Sequence, residues 1–272
     1  MAPRLALDHL TTADATPWGL AELSAGAGFQ GCCLFLESMD VVPRLPRYSL
    51  IDDLASRARA RDALSDHAVG LDLVYPFTLT ARTRAEDFLP ALEAAAWLGA
   101  RAVNLLSYDR DPGRRVDQLG RAADLAASLG MRSVLEFYPP SAVGSLADAV
   151  AIVTAVGEGR LAINVDVLHL YRSGGTTGEL EAAARNIGFA QVADGPLRPP
   201  EDAAYEAANQ RALPGRGAFA LGAFLKALPP SATLSVEAPD EEAVLAGVTM
   251  EQRADRARAA LNAIMKEAVC RG

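Results

Sequence analysis

Short apolar runs rich in β-branched residues alternate along this chain with longer stretches in which Leu and Ala recur at helical spacing, and the pair of patterns repeats eight times. The runs Leu5–Asp8, Gly31–Leu36, Val69–Val74, Ala102–Leu106, Ser133–Glu136, Ala162–Asp166, Gly188–Val192 and Leu234–Glu237 are expected strands. The stretches between and after them, Trp18–Ala27, Leu50–Ala63, Ala85–Leu98, Arg114–Leu129, Leu146–Val156, Gly178–Arg185, Phe219–Leu228 and Met250–Val269, are expected helices. Strand followed by helix, over and over, builds a parallel sheet covered by helices. Dividing 272 residues by eight units leaves 34 per unit, the length a (β/α)8 barrel needs. An open doubly wound sheet is the alternative, but the first strand–helix junction lacks the glycine-rich turn of a dinucleotide fold. No Pro/Gly/Ser-rich linker interrupts the series, so the expected fold is α/β, a single (β/α)8 TIM barrel over residues 1–272.

Barrels carry their chemistry at the C-terminal ends of the strands. Two long connections, Glu37 to Tyr48 and Gly195 to Gly217, leave from that face, and four polar residues stand there at the ends of apolar runs: Glu136, Asp166, Gln191 and Glu237. One acid at a strand end reads equally as a cap or half of a salt bridge. Four on successive strands are expected to converge on one point, because neighbouring strands lie about 4.8 Å apart and the sheet closes. Three carboxylates crowded in a half-buried pocket repel one another unless a cation joins them. An all-oxygen set selects a hard divalent ion, Mn²⁺ or Mg²⁺ first, with Co²⁺ or Zn²⁺ able to substitute.

Composition narrows the field. A formal charge of −8, from 26 Lys and Arg against 34 Asp and Glu, repels a phosphate backbone and argues against nucleic acid as a partner. No stretch has the length and apolarity of a membrane span or a signal segment, so a cytoplasmic protein without membrane contact is expected. The cysteines Cys32, Cys33 and Cys270 form neither a disulfide framework nor a ligand spacing. Lysine occurs only as Lys226 and Lys266, in expected helices, which leaves a Schiff-base aldolase no nucleophile. No Gly-x-Ser-x-Gly elbow supports a hydrolase.

The Glu136 strand end, the pair Asp166-x-x-His169, the strand Gln191-x-x-Asp194, the loop Arg211-x-x-Pro214-Gly215-x-Gly217 and the Glu237 strand end resemble the xylose isomerase-like TIM barrels of the sugar phosphate isomerase/epimerase group. The resemblance runs through the whole chain in strand order and is specific from Glu136 onward. It implies Glu136, Asp166, Gln191 and Glu237 as metal ligands and the two glutamates as the groups that exchange a proton with the substrate. Epimerases of the group usually have His where this chain has Gln191; Gln there resembles the 3-dehydroshikimate dehydratases. The absence of a lysine in the site departs from true xylose isomerase. With histidine only at His9, His67 and His169, the chain also lacks the ligands of the trinuclear zinc site of the endonuclease IV relatives.

Around that centre, His169 is read as a catalytic or substrate-contacting group beside the metal, because it follows Asp166 by three residues. His9 at the end of the first strand, Tyr75 after the third, and Arg172, Arg198 and Arg211 in the later loops are candidate contacts for a hydroxyl-rich or anionic substrate; each has a structural or solvated reading of similar weight. The expected partner is a small polyol or keto-sugar, and a homo-oligomer is a family-based expectation.

A metal chelating a ketone and its neighbouring hydroxyl acidifies the C–H between them. Glu136 and Glu237 removing and returning that proton through an enediolate gives isomerisation or epimerisation. Expulsion of a β-hydroxyl with help from His169 gives a dehydratase acting on a cyclic hydroxyketone such as 3-dehydroshikimate or an inosose. A noncatalytic binding subunit is the third reading, and the retained glutamate pair counts against it.

Overall fold

Each expected strand forms in the computed structural model of the protein, which describes residues 3–157 and 159–270. They are β1 (Leu5–Asp8), β2 (Gly31–Phe35), β3 (Gly70–Leu79), β4 (Ala102–Ser107), β5 (Arg132–Glu136), β6 (Ala162–Asp166), β7 (Ile187–Val192) and β8 (Thr233–Val236). They close in sequence order into one barrel, with β1 parallel to both β2 and β8, so no strand edge is left open. The α/β class and the single (β/α)8 barrel are therefore as the hydrophobic pattern indicates.

The helices are α1 (Pro17–Gly26), α2 (Leu54–Asp66), α3 (Leu89–Leu98), α4 (Pro112–Ser128), α5 (Leu146–Val156), α6 (Val167–Arg172), α7 (Thr177–Ala182), α8 (Ala203–Asn209), α9 (Leu221–Ala227), α10 (Glu241–Leu245) and α11 (Met250–Cys270). Several start where the sequence supplies an acceptor: Thr16, Asp53, Asp111 and Ser145 each cap the next turn through a side-chain oxygen. Among the described residues no helix is long and apolar enough to cross a membrane.

Side chains alternate across each strand, and the alternation builds two cores. Leu7, Cys32, Leu135, Ile163 and Ala190 face outward into the layer under the helices. Ala6, Cys33, Phe35, Leu73, Tyr75, Ala102, Val134 and Phe189 fill the barrel itself. Residues two further along the chain keep the same phase. Asp8, Asn104, Glu136 and Gln191 thereby follow Ala6, Ala102, Val134 and Phe189 into the interior, one step nearer the mouth. At the opposite end Arg4 Nε donates to Asp72 Oδ1 at 2.7 Å and Arg101 adds a second contact at 3.3 Å, an ionic plug.

Two local departures have physical causes. β3 runs on to Leu79 past Pro76, where the sequence suggests a stop because proline cannot donate to a ladder. A register shift between Val74 and Phe77 absorbs it, and Phe77 turns out to meet Phe88 edge-on. Between β6 and β7, where one helix over Gly178–Arg185 is expected, α7 occupies that place and a further helix, α6, precedes it. Asp166 caps α6 directly, and a capping box of Thr176 and Glu179 starts α7 after the Gly174–Gly175 break.

Candidate metal centre

Asp166 does two things at once. Its Oδ1 accepts from Leu168 N at 2.7 Å, which starts α6 at the strand end, and that turn of helix carries His169 back beside the carboxylate it follows. His169 Nε2 then lies 3.5 Å from Asp166 Oδ2 and 3.4 Å from Glu136 Oε1. Glu136, Asp166 and His169 present donor atoms all within 4.8 Å of one another. Tyr138 walls the imidazole, ring centres 4.8 Å apart.

Arg211 stands among these acids. The chain holds it there from both sides: Asp194 and Ala212 exchange backbone hydrogen bonds of 2.8 and 3.0 Å, Arg211 N donates to Pro239 O at 2.7 Å, and its Nε donates to Ala207 O at 2.9 Å. Its guanidinium Nη1 donates to Asp166 Oδ2 at 2.7 Å and to Glu237 Oε2 at 3.3 Å. Burial alone would weaken the guanidinium's hold on its proton, and the carboxylates of Asp166 and Glu237 more than reverse that. The same pairing keeps the Asp166 carboxyl below its ordinary range despite complete burial. Glu237, buried near Asp8, Asp166 and Glu136, is pushed well above the carboxylate range, by burial first and by its anionic neighbours as well.

The loop that delivers Arg211 hangs on Asp194. Its carboxylate accepts from Gly195 N, Phe219 N and Gly215 N at 2.8, 3.0 and 3.0 Å. Gly215 adopts φ +80°, and a Cβ at Gly217 would lie 2.3 Å from Asp194 Oδ1, so the Pro-Gly-x-Gly motif is a requirement of this turn.

The four ligands expected from the sequence do not gather as one set. Gln191 Oε1 accepts from Asn164 Nδ2 at 2.6 Å and its Nε2 faces Asp8 Oδ2 at 3.5 Å, so its amide is engaged inside the barrel. Glu237 is joined to Asp166 through Arg211 and lies outside the close trio, whose third donor is His169. His9 is completely buried: Phe35 N approaches its Nδ1 at 3.4 Å and its Nε2 bonds Ala15 O at 3.0 Å, which occupies both nitrogens with backbone. Burial lowers its pKa to about 4. Arg172 forks onto Glu206, at 2.7 and 2.6 Å, and onto Pro196 O, bracing the long loop. Arg198 is exposed on that loop. Tyr75 is buried at the barrel axis with its hydroxyl donating to Asp8 Oδ1.

Asp8, Asn104 and Asn164 also belong to the interior, outside the set of second-half strand ends expected from the sequence. The signals were present: Asp8 ends the first strand, Asn104 is polar within an apolar run, and Asn164 precedes Asp166 by two, hence on the same face. Burial raises the Asp8 carboxyl to about 7.

Four carboxyl groups, of Asp8, Glu136, Asp166 and Glu237, thus lie within electrostatic reach of the Arg211 guanidinium, and crowding and burial keep protons on Asp8 and Glu237. Two carboxylates and an imidazole at chelating spacing, with further buried carboxyl groups beside them, fit a divalent cation.

The β2 loop folds back over the barrel, with Leu45 part of the interior cluster that holds Phe35 and Tyr75, and Met39 and Val42 packed against that cluster. Arg44 of that loop and Tyr205 of α8 both bind Glu241, which ties three loops together.

Known proteins resemble the chain as follows. The sequence model described as xylose isomerase-like TIM barrel matches residues 21–267. Among solved structures, the IOLI protein with a bound zinc atom superposes with a TM-score of 0.77 at 21% identity, over 97% of this chain and 99% of that one. A D-psicose 3-epimerase in the presence of D-fructose gives 0.71 at 17%, over 95% and 97%. The probable 3-DHS dehydratase AsbF of Bacillus anthracis gives 0.70 at 13%, over 95% and 98%. A fusion of a xylose isomerase-like barrel with a 4-hydroxyphenylpyruvate dioxygenase gives 0.83 at 19%; all of this chain is covered but only 44% of the fusion protein. No curated protein matches the sequence. With the barrel, the residues at its mouth and the sequence model in agreement, the chain belongs to the xylose isomerase-like TIM barrel family.

Proposed function

We propose that the protein is a divalent-metal-dependent isomerase or epimerase that moves a proton on the carbon beside a ketone in a keto-sugar or related polyol. The observation that carries the reading is a pair of glutamates in unlike surroundings around one guanidinium. Glu237 is buried against Arg211 with its carboxyl pushed up, whereas Glu136 is the more open and sits beside His169. Two titratable groups held in different environments are what a proton removal and return require.

Glu136, Asp166 and His169 would hold the ion, with Glu237 available to complete the set. An imidazole in place of an amide oxygen shifts the preference away from Mg²⁺ toward Mn²⁺, Co²⁺ or Zn²⁺. When bound, such an ion draws electron density from a ketone oxygen and so acidifies the neighbouring C–H. Glu136 takes that proton at a carboxylate oxygen and Glu237 supplies one. Arg211 keeps Asp166 ionised and orients Glu237, and the apolar underside of the β2 loop excludes water from the exchanging proton. Arg172 and Arg211 are committed to Glu206, Asp166 and Glu237, which favours an uncharged substrate over a phosphate or carboxylate.

The second reading is a hydro-lyase acting on a cyclic hydroxyketone. In it His169, held beside Glu136, serves as the acid for the leaving hydroxyl, and Glu237 takes its place with Glu136 and Asp166 about the ion. One experiment separates the two. Metal-stripped protein supplied with Mn²⁺ is offered ketohexoses, hydroxypyruvate, inososes and 3-dehydroshikimate in deuterated water. Deuterium in an isomerised or epimerised sugar, lost in Glu136→Gln and Glu237→Gln, is the expected result; loss of water from a cyclic ketone would replace the isomerase reading with the lyase. Tight metal binding without exchange on any substrate would sink both.

A further inference from the structure

A line of side-chain hydrogen bonds crosses the barrel interior between carboxylates on opposite strands, β5 and β1. Asn104 Nδ2 donates to Glu136 Oε2. Asn104 Oδ1 accepts from Asn164 Nδ2 at 3.2 Å, and the same Nδ2 donates to Gln191 Oε1 at 2.6 Å. Gln191 Nε2 then faces Asp8 Oδ2 at 3.5 Å, and the Tyr75 hydroxyl donates to the other oxygen of Asp8. All of these residues are buried or nearly so, and the line reaches the Glu136, Asp166 and His169 trio at Glu136.

The direction of the line follows from its Glu136 end. Asn104 turns its NH2 to Glu136, which leaves its carbonyl for Asn164. Asn164 must therefore donate there, and its second hydrogen goes to Gln191, whose own NH2 is left for Asp8. Asn164 is the one member that donates both ways. Its Oδ1 is buried without a hydrogen-bond partner, a cost that a reversed amide would exceed by setting that oxygen against two carbonyl oxygens.

We propose that Asn164 is a positioning residue: by donating to both Asn104 and Gln191 it fixes how Glu136 is presented to Asp166 and His169, and holds the Gln191 amide turned into the barrel. The proposal rests on the reading of that trio as the holder of a divalent ion. Groups that orient metal ligands from behind commonly govern affinity by about 10–100-fold.

The test uses the full chain, with Mn²⁺ as the probe. Asn164→Leu removes both N–H donors without adding charge, and Asn164→Ser keeps a single donor. Mn²⁺ affinity is measured by calorimetry, and exchange of the side-chain NH2 protons of Asn104 and Gln191 is followed by NMR in the metal-free protein. In the wild type those protons should exchange slowly. In Asn164→Leu they should exchange much faster and Mn²⁺ affinity should fall about 10–100-fold, with Asn164→Ser between the two. If the leucine variant does not fold, the serine variant carries the same comparison. Affinity within twofold of wild type in the folded variants overturns the proposal, as does a lower melting temperature with unchanged Mn²⁺ binding. A wild-type protein that binds no Mn²⁺ would instead overturn the metal-dependent reading of the site. The exchange data would still decide whether Asn164 organises the line, slow exchange retained in the variants counting against it.

Discussion

The guanidinium of Arg211 meets Asp166 at Oδ2, 2.7 Å away, and that is the oxygen His169 Nε2 faces at 3.5 Å. One carboxylate oxygen therefore answers to a fixed cation on one side and to a candidate ligand on the other. A divalent ion held by Asp166 and His169 has to share Asp166 with Arg211, so ion and arginine are coupled through one residue.

Replacing Arg211 exposes that coupling. Arg211→Met leaves Asp166 and Glu237 buried without their countercharge, and we expect a loss of about 3–5 kcal/mol in metal-free protein. Added Mn²⁺ should restore more melting temperature in the variant than in the wild type. Thermal melts with chelator and with Mn²⁺ check this; an equal shift in both proteins would show that ion and arginine do not share the carboxylate.

His9 and Asp8 pull the acid stability of the fold in opposite directions: the raised Asp8 carboxyl takes up its proton first in the fold, whereas His9 does so first in the unfolded chain. The His9 pKa falls from 6.5 in the unfolded chain to about 4 in the fold, so as pH drops the unfolded state takes up that proton first. The His9 contribution should decline from about pH 6.5 down to about pH 4, by ~3 kcal/mol, against a gain from Asp8 over the same range. Urea titrations at several pH values in that window should show His9→Gln gaining stability relative to wild type as pH falls; a constant difference between the two would mean that His9 does not carry this pH dependence.

Asp194 should matter to the site without touching it. Asp194→Ala removes the acceptor for three backbone N–H groups, those of Gly195, Gly215 and Phe219, and should cost about 3 kcal/mol. Because the same turn delivers Arg211, the metal-free variant should also lose the ordering of Arg211 against Asp166. Denaturant unfolding measures the first effect and a crystal structure the second. Full stability would mean that water replaces the carboxylate.

Glu241 clasps Arg44 and Tyr205 from two other loops. Glu241→Ala is expected to lower the melting temperature only slightly, since an ion pair still in contact with solvent contributes little, yet to speed proteolysis between Met39 and Arg47 and to raise KM more than it lowers kcat. Unaltered cleavage kinetics would argue that the apolar contacts of Met39, Val42 and Leu45 suffice to hold the loop down.

The chain by itself determined the barrel. Strand and helix periods are local properties, and eight alternations leave little choice but a closed parallel sheet with chemistry at the strand C-termini. It also pointed to Glu136, Asp166 and Glu237, because an acid ending an apolar run is visible without a structure. What it could not supply was the partner of each group. Gln191 and His169 are both polar residues near strand ends, and only the packed interior shows that Asn164 and Asp8 engage the amide while the first turn of α6 swings the imidazole beside Asp166. Likewise Arg211 and Arg172 look alike in sequence. Backbone contacts to Pro239 and Ala207 carry the first into the acids, and Glu206 ties the second into the loop. Hydrogen bonds and ion pairs are made between residues remote in sequence and act over about 3 Å, so which donor finds which acceptor is decided by the closure of the barrel and the course of its loops.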